Sequence, residues 1–133
     1  MTKPPLDGKV AIVTGGSRGI GLAIAALLAE DGAAVVVSGR DADRLQRAVK
    51  ELETQGRTAH AVVADAASRE DCDRLAAAAK ERFGHIDVLV SNAGITRDEL
   101  LVSMKDEDWD RVMDVNLRGV FLLTRAVTKA MVR

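Results

Sequence analysis

Tyrosine is absent from the 133 residues, and aromatic side chains of all kinds make up only 2%. No phenol is therefore on hand as a proton donor. Cysteine occurs once, as Cys72, which excludes an internal disulfide and a thiolate metal cluster. The only histidines, His60 and His85, fall in different segments without an acidic or cysteine companion at ligand spacing, so no metal site is expected. Neither sign of charge dominates: 19 basic and 20 acidic residues leave a net charge of −1, with no basic block. Nucleic acid and anionic membranes are accordingly poor partners. Long apolar runs are missing too. The longest uncharged stretch, Gly19 to Ala29, is too short to span a bilayer. The opening "MTKPPLDGK" lacks the apolar region of a signal peptide, and a cytoplasmic protein is expected.

What is present is the composition of a globular chain, 47% apolar and 29% charged, long enough for one domain over residues 1–133. Short β-branched runs alternate with longer helical patterns. "KVAIVT" (Lys9 to Thr14) reads as a buried strand ending at glycine. The segment after it is apolar nearly all round until Glu30, which predicts a deeply packed helix stopped by Gly32 in a left-handed cap. "AAVVVSG" is a second strand. Asp41 caps a helix with Leu45, Val49 and Leu52 at the helical period, ended by Gly56. "AHAVVAD" is a third strand. "SRED" (Ser68 to Asp71) opens a helix as a capping box, and Gly84 closes it. Cys72 falls on its Leu75, Ala79, Phe83 side, as a small buried residue. "IDVLVSNAG" is a fourth strand running into a glycine turn. A long helix is expected from about Asp106 to near Arg133, with Trp109, Val112, Asn116, Val120 and Leu123 facing inward.

Connections this long exclude hairpins and imply a parallel sheet covered by helices on both faces. The fold class is α/β: a Rossmann-type doubly wound parallel sheet, incomplete, with four strands in the order 3-2-1-4.

The stretch "TGGSRGIGLAIAALLAEDG" places a glycine turn between the first strand and the first helix. Free N–H groups and the helix dipole make that junction an anion site. Gly15 permits the sharp turn, Gly19 lets a pyrophosphate approach the backbone, and Gly21 lets the helix pack closely. Ser17 offers a hydroxyl donor, and the Ile20 N–H faces the same anion. The spacing is G-x-x-x-G-x-G, and no Gly-Lys-Ser/Thr follows, so this is not a P-loop.

"TGGSRGIG", "SNAG" (Ser91 to Gly94) and "VNL" (Val115 to Leu117) together resemble the short-chain dehydrogenase/reductase family, from Lys9 to the last residue. "NAGITRD" followed by "MKDEDWDRVMDVNLRGVF" looks most like its 3-oxoacyl-acyl-carrier-protein reductases. In such a fold an NAD enzyme usually carries an acid at the end of the second strand. Here that end reads "VSGR": Gly39 has no carboxylate, and Arg40 has a guanidinium. Arg18 can approach the same pocket, and two guanidinium groups suit the extra phosphate of NADP. Either arginine alone reads better as a solvated surface residue; it is the pair, at these positions, that favours NADP. Asp41 competes as a ribose-binding carboxylate, but its position fits a helix cap. The resemblance implies that Asp65 accepts a hydrogen bond from the adenine amino group, with the Ala66 N–H beside the ring. It also implies that Asn92, Ala93 and Gly94 form the turn over the adenosine ribose, with Ser91 where many relatives have asparagine.

The resemblance further implies hydride transfer between NADP(H) and a carbonyl substrate such as a 3-oxoacyl thioester. A tyrosine acid, a lysine, a serine and a helix asparagine would assist it. Of that set only the asparagine, Asn116 of "DVNLRG", is present. The family pattern places the rest after Arg133, so the chain is expected to be an N-terminal portion without turnover of its own. A fourth strand lacking a fifth neighbour would be an exposed apolar edge, prone to aggregation or strand addition. A nucleotide-binding module or subunit completed by another chain, and a piece that mainly self-associates, are the rival readings. Relatives pair through the long helix, so a homo-oligomer is expected. Gly119, in mid-helix, would admit a close neighbour.

Overall fold

The computed structural model describes residues 3–94 and 101–132. Their elements run β1 (Val10–Thr14), α1 (Gly19–Glu30), β2 (Ala34–Gly39), α2 (Ala42–Thr54), β3 (Ala59–Val63), α3 (Arg69–Phe83) and β4 (Val88–Val90). After a short 3-10 turn (Leu101–Ser103) come α4 (Asp106–Met113), a π turn (Asp114–Arg118) and α5 (Gly119–Met131). All strand pairs are parallel, in the order β3-β2-β1-β4, as the alternation of strand and helix required.

The pleat explains why helices cover both faces. Ile12, Val36 and Val62 point to one side, where they meet Leu75 and Ala79 of α3 and Leu122, Leu123 and Val127 of α5. Ala11, Val13, Val35 and Val37 point to the other, against Ala25 and Ala29 of α1 and Leu45, Val49 and Leu52 of α2. Strand interiors buried on both faces account for the near-continuous β-branched runs. Asp87 fastens the start of β4 to β1. Its carboxylate accepts the Val10 N–H at 2.8 Å, and its own N–H donates to the Val10 carbonyl at 2.8 Å. β4 lies at the sheet edge beside β1, and Val88, Leu89 and Val90 are only half-buried.

The helix boundaries follow local chemistry. Asp41 accepts the Arg44 N–H at 3.1 Å and caps α2, and Ser68 accepts the Asp71 N–H at 3.2 Å and caps α3. Gly32, Gly56 and Gly84 all take positive φ just past their helices.

Three expectations need correction. α1 is not packed all round: Ile20 is 74% and Leu27 62% exposed. Its buried face consists of Gly21, Ala25 and Ala29, small residues four apart that draw the helix close to the sheet and turn the larger side chains outward. The long helix is interrupted by the π turn, and its inward face is Val115, Gly119, Leu122, Leu123, Ala126 and Val127. Leu123 faces in as expected and Val112 is half-buried, but Trp109, Asn116 and Val120 are exposed. The cause is Gly119. A Cβ there would lie 2.6 Å from the Ala66 carbonyl oxygen, so the glycine must face the β3 end, and Val120 rotates out. Gly119 thus serves a close approach within this chain.

Candidate functional site

Strand order reverses direction at β1, between β2 and β4, which opens a crevice at the carboxyl ends of the strands. The glycine turn fills one lip. The Gly15 and Gly16 N–H groups donate to the Ser38 carbonyl at 2.8 and 3.3 Å, which ties the turn to the end of β2. Gly15 and Gly19 hold φ of +65° and +59°, a conformation that glycine adopts without strain. Gly21 meets a different demand. A Cβ on it would fall 2.0 Å from the Gly15 carbonyl oxygen and 2.7 Å from Nδ2 of Asn92, so α1 begins directly against its own turn.

That helix start is chemically distinct. No side chain caps α1 among the described residues, and its first turn contains no acid. By contrast α2, α3 and α4 each carry at least one acidic residue in the first turn, and α2 and α3 are capped by side chains. The leading amides of α1 therefore offer N–H groups and positive dipole to a ligand from outside the chain.

Thr14 joins the other lip. Its buried hydroxyl accepts the Asn92 and Ala93 N–H groups at 2.9 and 3.0 Å and donates to the Val90 carbonyl at 3.4 Å. Asn92 also sends Nδ2 toward the Gly15 carbonyl, at 3.5 Å. A cleft of about 890 Å³ lies between the lips. Gly15, Ser17, Arg18, Gly19, Arg40, Asp65, Ala66, Asn92, Ala93 and Gly94 all line it.

The residue-9-to-133 segment matches the family model for short chain dehydrogenases. The chain belongs to the short-chain dehydrogenase family. It is 48% identical over 129 residues to a 3-oxoacyl-[acyl-carrier-protein] reductase of Synechocystis, covering 96% of this chain and 52% of that protein. It is 42% identical to the bovine dehydrogenase/reductase SDR family member 4, covering 97% of this chain and 47% of the relative. Among solved structures, a short chain dehydrogenase of Burkholderia cenocepacia in complex with NADP superposes with a TM-score of 0.90 at 42% identity, covering 95% of this chain and 52% of that one. The chain spans about half the length of the curated relatives it matches.

Not every residue singled out from the family's motifs reaches the cleft. The Ile20 side chain points to solvent, and Gly21 lies buried beneath the turn, so these two can contribute only through the backbone. Asn116 sits in the π turn. Its Oδ1 lies beside Gly94, 3.2 Å from where a Cβ would project, while the residue borders a shallow hollow on the outer side of α5. The 95–98 part of the "NAGITRD" resemblance lies outside the described residues.

The structure adds residues that the sequence did not single out. Arg44 lines the cleft beside Arg18 and Arg40, with its Nε 3.4 Å from the Asp41 carboxylate. Arg111 of α4 forks onto both carboxylate oxygens of Asp65, at 3.2 Å each. Asp65 Oδ1 also accepts the Ala67 N–H at 2.9 Å, and its own N–H donates to Asp71 at 2.7 Å. Asp71 thus turns to Asp65 instead of completing the expected capping box with Ser68. Burial disfavours the Asp65 charge, but the Ala67 N–H and the guanidinium groups of Arg111 and Arg40 outweigh it, and the carboxyl titrates below its ordinary value. Cys72 is buried as expected, and its Sγ lies 3.6 Å from the Ala66 carbonyl. Burial, reinforced by Asp73, Asp71 and Asp65, pushes its thiol up.

Proposed function

We propose that this cleft is the NADP(H) site of a short-chain reductase whose whole protein transfers hydride between the dinucleotide and a carbonyl substrate. The 3-oxoacyl thioesters are the favoured substrate class, because the chain resembles 3-oxoacyl-acyl-carrier-protein reductases along nearly all its length. The observation that carries the reading is the uncapped, acid-free start of α1 facing a cleft lined by Arg18, Arg40, Arg44 and Arg111. Gly15 and Gly19 would let a diphosphate reach the backbone, and the Gly19, Ile20 and Gly21 amides would hold it, with Ser17 adding a hydroxyl. Arg18 and Arg40 would take the phosphate on the adenosine ribose, where Gly39 leaves room and offers no repelling carboxylate. Asp65 and Ala66 would meet the adenine, and Asn92 to Gly94 the ribose. When bound, the nicotinamide supplies the hydride chemistry. Asn116 is the one residue of the family's catalytic set in these 133 residues, which contain no tyrosine. Its part would be to hold the water through which the proton is relayed. By itself the chain would bind nucleotide without turning it over.

Affinities of wild type, Arg40→Ala and Arg18→Ala for NADPH and NADH test the assignment. Each loss of a charge-assisted phosphate contact should weaken NADPH about tenfold or more and leave NADH nearly unchanged. Equal losses for both dinucleotides would refute it. Oxidation of NADPH by this chain with an acetoacetyl thioester, free of host reductases, would overturn the claim that it does not turn over.

A further inference from the structure

Asp65 is held at every polar atom. Its N–H is taken by Asp71, its carbonyl accepts the Ser68 N–H at 2.9 Å, and Oδ1 accepts from both Ala67 and Arg111. Among the described residues Oδ2 accepts from Arg111 alone, which leaves one of its two acceptor positions open on a residue that lines the cleft. The fork comes from a separate element, α4, whose continuation is seated on the same β3 turn by the contact of Gly119 with Ala66.

An ion pair this exposed, with 27% of the Arg111 and 34% of the Asp65 side chain accessible, adds little to stability. What the two-point contact does supply is orientation. A carboxylate with one hydrogen-bonding neighbour can swivel about its Cβ–Cγ bond. One gripped on both oxygens by a planar guanidinium cannot.

We propose that Arg111 is a positioning residue for base selection: it aims the free acceptor site of Asp65 Oδ2 at the 6-amino group of adenine and so makes the cleft prefer an aminopurine. The inference rests on the nucleotide reading above. The chemistry of the base makes the preference directional. Adenine presents an N–H donor at its 6-position, which a carboxylate accepts. Hypoxanthine presents a carbonyl oxygen there, which a carboxylate repels. Arg111 also keeps Asp65 ionised, as an acceptor must be.

The probes are NADP and its deamino analogue, nicotinamide hypoxanthine dinucleotide phosphate, titrated calorimetrically into wild type, Arg111→Met, Asp65→Asn and the double variant. Wild type should bind NADP about tenfold more tightly than the analogue, the worth of one hydrogen bond to a charged group. Arg111→Met should bring that ratio close to one, chiefly by weakening NADP, with its melting temperature within a few degrees of wild type. The double variant should be no worse than Asp65→Asn, since both changes remove the same contact. If Arg111→Met does not fold, Arg111→Lys serves in its place. Its single ammonium cannot grip both oxygens and should lower the ratio part-way. A loss in Arg111→Met that is equal for both dinucleotides would make Arg111 a tether and overturn the proposal, as would a wild type indifferent to the 6-substituent. Absence of binding by either dinucleotide to wild type would instead overturn the nucleotide reading, and this inference with it.

Discussion

Replacing Gly21 by alanine should destabilise the fold and weaken nucleotide binding together. Alanine is the better helix former by about 1 kcal/mol, so propensity alone predicts a gain. Contact geometry opposes it. The new methyl would sit 2.0 Å from the Gly15 carbonyl oxygen, a backbone atom that cannot rotate away. Relief needs the start of α1 and the glycine turn to part by roughly 1 Å, because side-chain Cβ atoms essentially never come within about 3.0 Å of such an atom. Overpacking of this kind costs about 1–3 kcal/mol, and a clash with backbone belongs at the upper end. The net loss is then about 2 kcal/mol, or a fall in melting temperature of roughly 6–10 °C for a domain of this size. Thermal unfolding by circular dichroism reads the first effect, and NADPH titration the second, because the turn that parts is the proposed diphosphate cradle. Gly39→Ala is the control for the melting experiment alone: it has a negative φ, and a Cβ there would meet nothing closer than 3.7 Å. A Gly21→Ala protein that melts at or above wild type would refute the reasoning.

Thr14→Val keeps the shape of the side chain but removes the acceptor for the Asn92 and Ala93 amides. Both amides are only partly buried, so each stranded group costs toward the lower end of about 1–3 kcal/mol; a loss of about 1–2 kcal/mol is expected in denaturant unfolding, and an unchanged midpoint would contradict it. The Cys72 thiol, buried and raised in pKa, should resist an aromatic disulfide reagent in the native protein and react after denaturation; rapid native labelling would show that the α3 packing is wrong. Asp65 titrates lower in the fold than in the unfolded chain, so its stabilisation is complete above its ordinary pKa of 3.8 and fades as pH falls through the lowered folded value. The advantage of wild type over Asp65→Asn in acid unfolding should therefore shrink below about pH 4, and an advantage still intact at pH 2 would contradict the pairing with Arg111.

The strand order and the two-sided helix cover were legible because β-branched runs, caps and terminal glycines are local signals, and parallel crossovers leave few topologies open. The cleft-lining part of the site was legible for a similar reason: it stands at strand ends whose positions follow from the runs. Other features depend on contacts that no local pattern carries. The burial of α1 is governed by Gly21, Ala25 and Ala29, which a scale of apolarity ranks below Ile20 and Leu27. The phase of the last helix is set by the contact of Gly119 with Ala66 and shifted by the π turn between α4 and α5, so Trp109 and Val120 misled as apolar markers. Thr14 stood inside the glycine motif but owes its role to amides that arrive from β4. Arg111 and Asp65 are separated by 46 positions, and only the fold brings them together.

The most direct test of the central claim is a titration of the isotopically labelled chain with NADP, followed by amide resonances. Binding at the proposed site should move the Gly15, Gly19, Ile20 and Gly21 amides most, with NAD moving them far less at equal concentration. Shifts confined to other residues, or none under saturating nucleotide, would contradict it.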